Sequence, residues 1–443
     1  MKTLFSNKYI WLFIIIVGLQ IPLSMIELQI EDRTIQRDIA KQSVRQSWTG
    51  EQEILASLLV IPYQEKVEID QLNSQSESKK RRYQWVNRRL YITPDKLIVE
   101  SKLDNQTLAR GIYKVPVYTA SLKVQADYQL TKFHQLKKRD TVRLQQASFM
   151  SIGVKDSRGL IGVPEMMLSG KKLQVEPGTQ LPFYDSGFNA VIPLDKLQSK
   201  TLSFDSSIKL NGMEQLSFLT AGRVNSVNVK SDWPHPNFDG AFLPVSRQVS
   251  ATGYSAKWET GVFSTNIDSA LQSCYQNNCN SLHSSAYGVR HIQSVDIYLQ
   301  SLRSVKYGLL VILATFCIFA LYEIISQKIS IHPISYFLTG TALAIFFLLL
   351  IALSEHMVFA LAYWISCLAC SGLIAFYVTH QSQSWRQGVS LMAILNGLYL
   401  ILFFIIRSED HALLSGSLLL FFLLAAVMHV TRKLDWYQVL KVT

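Results

Sequence analysis

Along this chain the spacing of apolar and polar positions changes character twice. From Lys306 to Tyr437 the sequence is almost wholly apolar, in five runs: Tyr307–Ile325, Ile334–Leu353, Val358–Thr379, Val389–Ile406 and Leu413–Val430. Each is close to the roughly 20 residues that a helix needs to cross a ~30 Å hydrocarbon layer. The polar breaks between them are too short to hold a domain. Because a bilayer offers backbone groups no water, such runs are expected as helices packed in a compact stack. A further apolar run, Tyr9–Ile26, lies near the N-terminus behind Lys2 and Lys8. It lacks a small-x-small cleavage site and reads as an uncleaved anchor with a bend at Pro22.

Between these apolar parts the period shortens. Glu31–Ser47 places Ile35, Ile39 and Val44 on one side and reads as a polar helical stalk continuing from the anchor. Trp48, Thr49 and Gly50 stop it. Leu58, Leu59, Val60 and Ile61 read as a buried strand ending at Pro62. Leu122, Val124, Ala126, Tyr128 and Leu130 alternate with polar residues, and Leu202, Phe204, Ile208 and Leu210 do so with a gap at Ser206. Further strands are expected at Leu97–Leu103, Ile112–Tyr118, Val142–Met150, Gly187–Leu194 and Tyr254–Trp258, with a short one around Val227 and Val229. Period-two segments separated by Gly, Pro, Asp and Asn turns predict a sandwich or layered sheet. The expected fold class is an α+β membrane protein. It has an N-terminal anchor (residues 1–27), a β-rich external domain with a helical stalk (28–303), a bundle of five transmembrane helices (304–431) and a tail (432–443).

Charge orients this arrangement. The formal net charge is +11, and Leu28–Arg303 carries 34 Lys or Arg against 26 Asp or Glu. Lys and Arg resist transfer across a bilayer, so Lys2 and Lys8 mark a cytoplasmic N-terminus and put the β-rich domain in the periplasm. The later loops then alternate: Lys328 and His332 inside, Glu355 outside, Arg386 inside, Glu409 and Asp410 outside, and Arg432, Lys433 and Lys441 inside. Arg407 is the exception. Both termini are expected in the cytoplasm, with the lipid bilayer as one partner. Gly340, Ser371, Gly372, Gly397 and Gly416 are candidate points of close helix approach.

Candidate chemistry is sparse. Cys274 and Cys279 are the only cysteines of the external segment and suit a small disulfide loop in an oxidising compartment. Cys367 and Cys370 lie inside an apolar run, as packing residues. The nine histidines form no metal-ligand spacing, and no nucleophile elbow or phosphate loop is present, so neither metal, cofactor nor catalytic residue is expected. The turn Trp233-Pro234-His235-Pro236 reads as a rigid corner, and Glu355 with His356 as a helix-capping loop. The basic stretch Lys79, Lys80, Arg81 and Arg82 reads as a solvated hairpin tip, with contact to anionic lipid or envelope polymer as the sharper alternative. Nucleic acid is not an expected partner outside the membrane.

Two readings compete with a structural one. A transporter or channel for small solutes would need polar groups within the spans, where only Lys306, Glu323 and Asn396 are available. A membrane-embedded enzyme modifying the envelope would need Glu355, His356 or His235 as acid or base.

One resemblance bears on the choice. The anchor, the residues Glu31, Asp32 and Arg33, the turn Ser231–Phe238, Phe242-Leu243-Pro244, the loop Ala352–His356 and the ending Thr431–Tyr437 together resemble the bacterial inner membrane protein CreD family over essentially the whole chain. The resemblance implies a non-enzymatic role in cell-envelope integrity, with colicin tolerance and membership of a two-component regulon linked to β-lactam response. It implies no catalytic residues. Its partners would be envelope proteins or anionic envelope polymers.

Overall fold

A computed structural model of the chain describes residues 8–70, 81–145, 147–275, 278–292, 296–326, 331–407 and 412–432. Two compact units emerge, one made of Met1–Ile39 with Val295–Thr443 and the other of Ala40–Ser294. The expected hairpin tip Lys79 and Lys80 and the ending Lys433–Tyr437 lie outside the described residues.

Anchor and stalk are a single helix, Lys8–Ser47, which continues through Pro22. Its apolar half buries one stripe, Leu19, Leu23, Ile26 and Ile30. Their spacing of four, three and four residues keeps them on one face. Phe13, Ile14, Val17, Ile21 and Met25 on the other faces stay exposed, as suits contact with lipid.

The C-terminal helices are Gly308–Ser326, Pro333–Ser354, Phe359–Ser382, Trp385–Arg407 and Ala412–Thr431. Among the described residues, the N-terminal helix and the three helices from Pro333 to Arg407 are long and apolar enough to cross a membrane. A fourth C-terminal crossing arises if Ile297–Lys306 and Gly308–Leu321, bent by 41° at Tyr307, form one span, whereas the apolar part of the last helix, Gly416–His429, is shorter.

Small residues set the helix contacts, though not all of those expected. A Cβ on Gly340 would lie against Leu19 Cδ1 and Phe316, and one on Gly308 against Leu23 and Phe347. Gly416 meets Tyr307, and Ser371 accepts from Asn396 Nδ2 at 3.2 Å. Gly372 and Gly397 face open space, correcting their assignment as contacts. Gly388, which the pattern did not single out, is the closest approach of all: a Cβ there would lie 1.9 Å from Thr379 Oγ1 and 2.8 Å from the Ala375 carbonyl.

The unit Ala40–Ser294 is built on two mixed sheets, of nine and eight strands. In the first, Gln52–Asp70 lies parallel to Gln215–Thr220 and antiparallel to Arg81–Ile92 and Ala147–Val154. In the second, Lys96–Arg110 and Tyr113–Gln129 form a long hairpin, flanked by Thr201–Met213 and by Val224–Ser231, the latter parallel to Lys96–Arg110. The inner faces of both sheets supply one core, including Ile54, Leu59, Val124, Phe204, Phe218 and Trp258. The other face of the nine-stranded sheet buries Leu55, Leu58, Val60 and Phe149 beneath the helices Ile267–Tyr275 and Asn280–His283. Cys274 and Cys279 are joined by a disulfide in this cover.

Four strand expectations are corrected. The strand containing Leu58–Ile61 does not end at Pro62 but runs to Asp70. Pro62 O accepts from Gln145 N at 3.2 Å, so the absent Pro62 N–H faces the same neighbour, at the break between that neighbour's strands Val142–Leu144 and Ala147–Val154. No ladder donor is missed there. This break also divides the expected Val142–Met150. The expected strands at Ile112–Tyr118 and Leu122–Leu130 are one, Tyr113–Gln129. The gap at Ser206 is no gap in burial, because Ser206 points inward and donates to the Glu165 carbonyl at 2.8 Å.

Gly288 tests the packing of the nine-stranded sheet. A Cβ at Gly288 would stand 2.1 Å from the Leu216 carbonyl oxygen and 2.7 Å from Ser217 Cα, whereas one on Gly261 would meet nothing closer than 3.6 Å. Gly288→Ala is therefore expected to destabilise the full chain by about 3 kcal/mol in urea unfolding followed by tryptophan fluorescence, and Gly261→Ala to change it by less than about 1 kcal/mol. Equal midpoints for the two variants would contradict the backbone contact.

Candidate functional site

Two groups of residues singled out by the sequence acquire geometry, one in each unit. The first lies around Glu355. Pro333–Ser354 and Phe359–Ser382 are joined by a turn in which Glu355 N and His356 N donate to the Ile351 and Leu353 carbonyls, at 3.3 and 3.0 Å. That turn directs the two side chains apart. His356 is exposed, while the Glu355 side chain is 10% exposed and lies 3.4 Å from Arg33 Nε on the N-terminal helix. Tyr298 OH donates to the same carboxylate at 3.4 Å.

One turn further along the N-terminal helix, Arg37 Nη1 pairs with Asp296 Oδ2 at 2.7 Å and its guanidinium lies 5.7 Å from the Tyr298 ring centroid. Asp296 also caps Ile297–Lys306, accepting from the Tyr298 and Leu299 N–H groups. At the other end of the apolar stripe, Lys8 pairs with Glu323, which also accepts from Tyr336 OH at 3.5 Å. Lys8 and Arg33 are about 37 Å apart along an α-helix, just more than a ~30 Å hydrocarbon layer. Each end of the stripe is therefore tied to the C-terminal helices by a charge pair. Two of the sequence stretches that suggested a family, Glu31-Asp32-Arg33 and Ser354-Glu355-His356, meet in the pair between Arg33 and Glu355.

Asn396, the polar residue deepest in the spans, is fully engaged. It accepts from Cys367 Sγ at 3.1 Å and donates to Ser371 Oγ and the Met392 carbonyl. Cys367 and Cys370 are free and buried.

The second group is the turn Trp233-Pro234-His235-Pro236. Pro236 opens a strand, Pro236–Gly240, paired with Tyr287–His291. The His235 ring is exposed and its carbonyl accepts from Ile292 N at 3.1 Å, while Trp233 Nε1 donates to the Ile292 carbonyl at 3.0 Å. What this corner covers is His291, a residue that sequence reasoning did not select. Trp233 stacks on its ring at 5.7 Å between centroids, Tyr118 and Tyr254 meet it edge-on, and Tyr254 OH lies 3.0 Å from His291 Nε2. Burial lowers the His291 pKa to about 4, against a smaller opposing pull from Asp232. Its strand alternates like any other, so no local signal set it apart.

Among the described residues no group of three or more His, Cys, Asp or Glu side chains is placed to hold a metal ion. The geometry thus defines a class: an α+β membrane protein with a long N-terminal apolar helix, two mixed sheets, and several C-terminal apolar helices packed on the first. The family model described as "Inner membrane protein CreD" matches residues 5–437. The inner membrane protein CreD of Escherichia coli (strain K12) is 30% identical over 426 residues, covering 96% of this chain and 92% of that protein. This chain belongs to the CreD family of inner membrane proteins. An M1 zinc metallopeptidase from Deinococcus radiodurans, solved with a Tyr-Ser-Ala substrate, aligns over 38% of this chain and 39% of its own at 7% identity, with a TM-score of 0.20, too low to carry any argument.

Two measurements check these sites. The neutral His291 ring is the folded form, so the unfolded chain takes up the extra proton between the ordinary pKa near 6.5 and the folded value near 4. The stability that His291 contributes is full above pH ~6.5 and is lost as pH falls toward 4, by up to roughly 3 kcal/mol. His291→Gln should remove that portion of the acid destabilisation, read as the difference between the two chains' urea midpoints from pH 7 to pH 4. A constant difference across that range would refute it. For the charge pair, Arg33→Gln and Glu355→Gln should each lower the stability of the full chain in detergent by about 1 kcal/mol, and the double variant by little more than either. Additive losses would mean that the two side chains act separately.

Proposed function

We propose that this chain supports cell-envelope integrity without catalysing a reaction, and that it raises tolerance to colicins and β-lactams by contacts its β-rich unit makes with another envelope component. In this reading the N-terminal helix and five C-terminal helices cross the inner membrane, with both termini in the cytoplasm and residues 40–294 in the periplasm. The alternation of Lys and Arg with acidic loops supports that topology. The pair between Arg33 and Glu355 supports it further, because it puts a residue of the outward stalk beside a loop expected to face the same way.

The observation that carries the functional reading is the contrast between the two units. In the helical unit Asn396, the polar residue deepest in the spans, and the charges at each end of the stripe find their partners within the unit, whereas the β unit offers a broad, solvated, charged sheet face. Binding capacity thus concentrates outside the spans. Deleting the gene is expected to raise sensitivity to detergent, a colicin and a β-lactam, and a copy carrying Gly288→Ala is expected to fail to restore tolerance. Unchanged sensitivity in the deletion strain would end this proposal. A periplasm-only reporter that works when fused after Lys328 and fails after Lys200 would reverse the topology.

A further inference from the structure

The outer face of the eight-stranded sheet carries charges that its own packing does not call for. Strand register places Lys209, Ser121, Lys102, Lys230, Ser255 and Gln248 in one row across six neighbouring strands, and Ser207, Lys123, Glu100, Asn228, Lys257 and Ser246 in the next. At the usual strand spacing such a row is roughly 24 Å long. The two rows floor an open groove of about 980 Å³, whose wall includes Ile161, Gly162 and Val163. Six cations line it, Lys102, Lys123, Lys209, Lys230, Arg247 and Lys257, against two carboxylates, Glu100 and Glu165.

Lys102 and Lys230 are lateral neighbours on adjacent parallel strands, an arrangement of like charges that weakens a sheet. Lys102 is held by Asp104 at 2.9 Å and Lys257 by Glu259 at 2.5 Å, while Lys123, Lys209 and Lys230 make no ion pair among the described residues. A solvated face needs charge of either sign; this one gathers more cations than carboxylates in a concavity, which focuses potential toward an anion.

The shape and floor select among anions. Between the cations stand hydroxyls and amides, Ser121, Ser207, Asn228 and Ser255, suited to hydrogen-bonding a chain rich in hydroxyl groups. Among the described residues no aromatic ring lines the groove, so unpaired bases find nothing to stack on. A flat bilayer surface does not reach the floor of a concavity, but a single extended strand does. We propose that this groove binds an anionic polysaccharide strand laid across the eight-stranded sheet, with Lys102, Lys123, Lys209 and Lys230 as its principal contacts. This inference rests on the functional reading above and gives the envelope component a chemical class.

The test uses the full chain in nanodiscs of zwitterionic lipid, with polygalacturonate as the probe. Binding is expected at about 50 mM salt, weakening as salt rises to about 300 mM, with neutral dextran not bound. Lys102→Gln/Lys123→Gln/Lys230→Gln should weaken it at least about tenfold, as the loss of three close charge contacts implies. Lys137→Gln/Lys138→Gln/Lys196→Gln, which removes the same charge elsewhere on the unit, should leave it within about twofold. Thermal unfolding of the groove variant is expected to match or exceed the parent, which separates lost contact from lost fold. Equal weakening by both triple variants, or no binding of polygalacturonate, overturns the groove. Tighter binding to oligo-dT, polyglutamate or anionic-lipid nanodiscs overturns its occupant. If the groove variant still restores colicin and β-lactam tolerance to a deletion strain, the envelope role stands and the groove alone is wrong.

Discussion

The contact on which the helical unit depends is the seating of the N-terminal helix against helices that follow some 270 residues later in the chain. Leu19, Leu23, Ile26 and Ile30 supply the apolar stripe, and Gly308 and Gly340 the space for it. In lipid such a stripe gains little from burial as such, since the alternative surroundings are equally apolar, and close packing has to carry the association. The charge pairs at either end, Lys8 with Glu323 and Arg33 with Glu355, tie the helix to the C-terminal helices at two points and so limit how far it can slide.

The β unit is organised by a different constraint. Its central strand, Gln52–Asp70, is buried on both faces near Leu58–Ile61, and the register shift between Leu55 and Leu58 lets Ala56 and Leu59 enter one core while Leu55 and Leu58 enter the other. Ser57 absorbs the shift with a left-handed backbone, φ 38°, and its hydroxyl lies 2.6 Å from Tyr128 OH. Covering both faces is what turns an alternating pattern into the continuous apolar run seen in the sequence.

Periodicity made much of this legible. Apolar length marked the helices from Pro333 to Arg407 within a few residues, and period two marked Thr201–Met213 and the burial of Leu122–Leu130, because both signals arise from local geometry. What escaped depends on partners distant in sequence. Pro62 reads as a stop until Gln145 is known to face it, Gly388 is one glycine among many until Ala375 approaches it, and His291 is unremarkable until Trp233, Tyr118 and Tyr254 enclose it. The Glu355 loop was visible as a motif, but its partner Arg33 was not, since nothing in either stretch encodes their meeting.

The pair between Arg37 and Asp296 holds side by side the points where the chain leaves the helical unit and where it returns. Everything between them is a closed excursion from one place. Closure entropy grows only with the logarithm of loop length, about 0.6 kcal/mol for each doubling, so the helical unit is nearly indifferent to how many residues that excursion holds. By this term alone, an inserted body of half or twice the size would leave the stability of the helical scaffold almost unchanged.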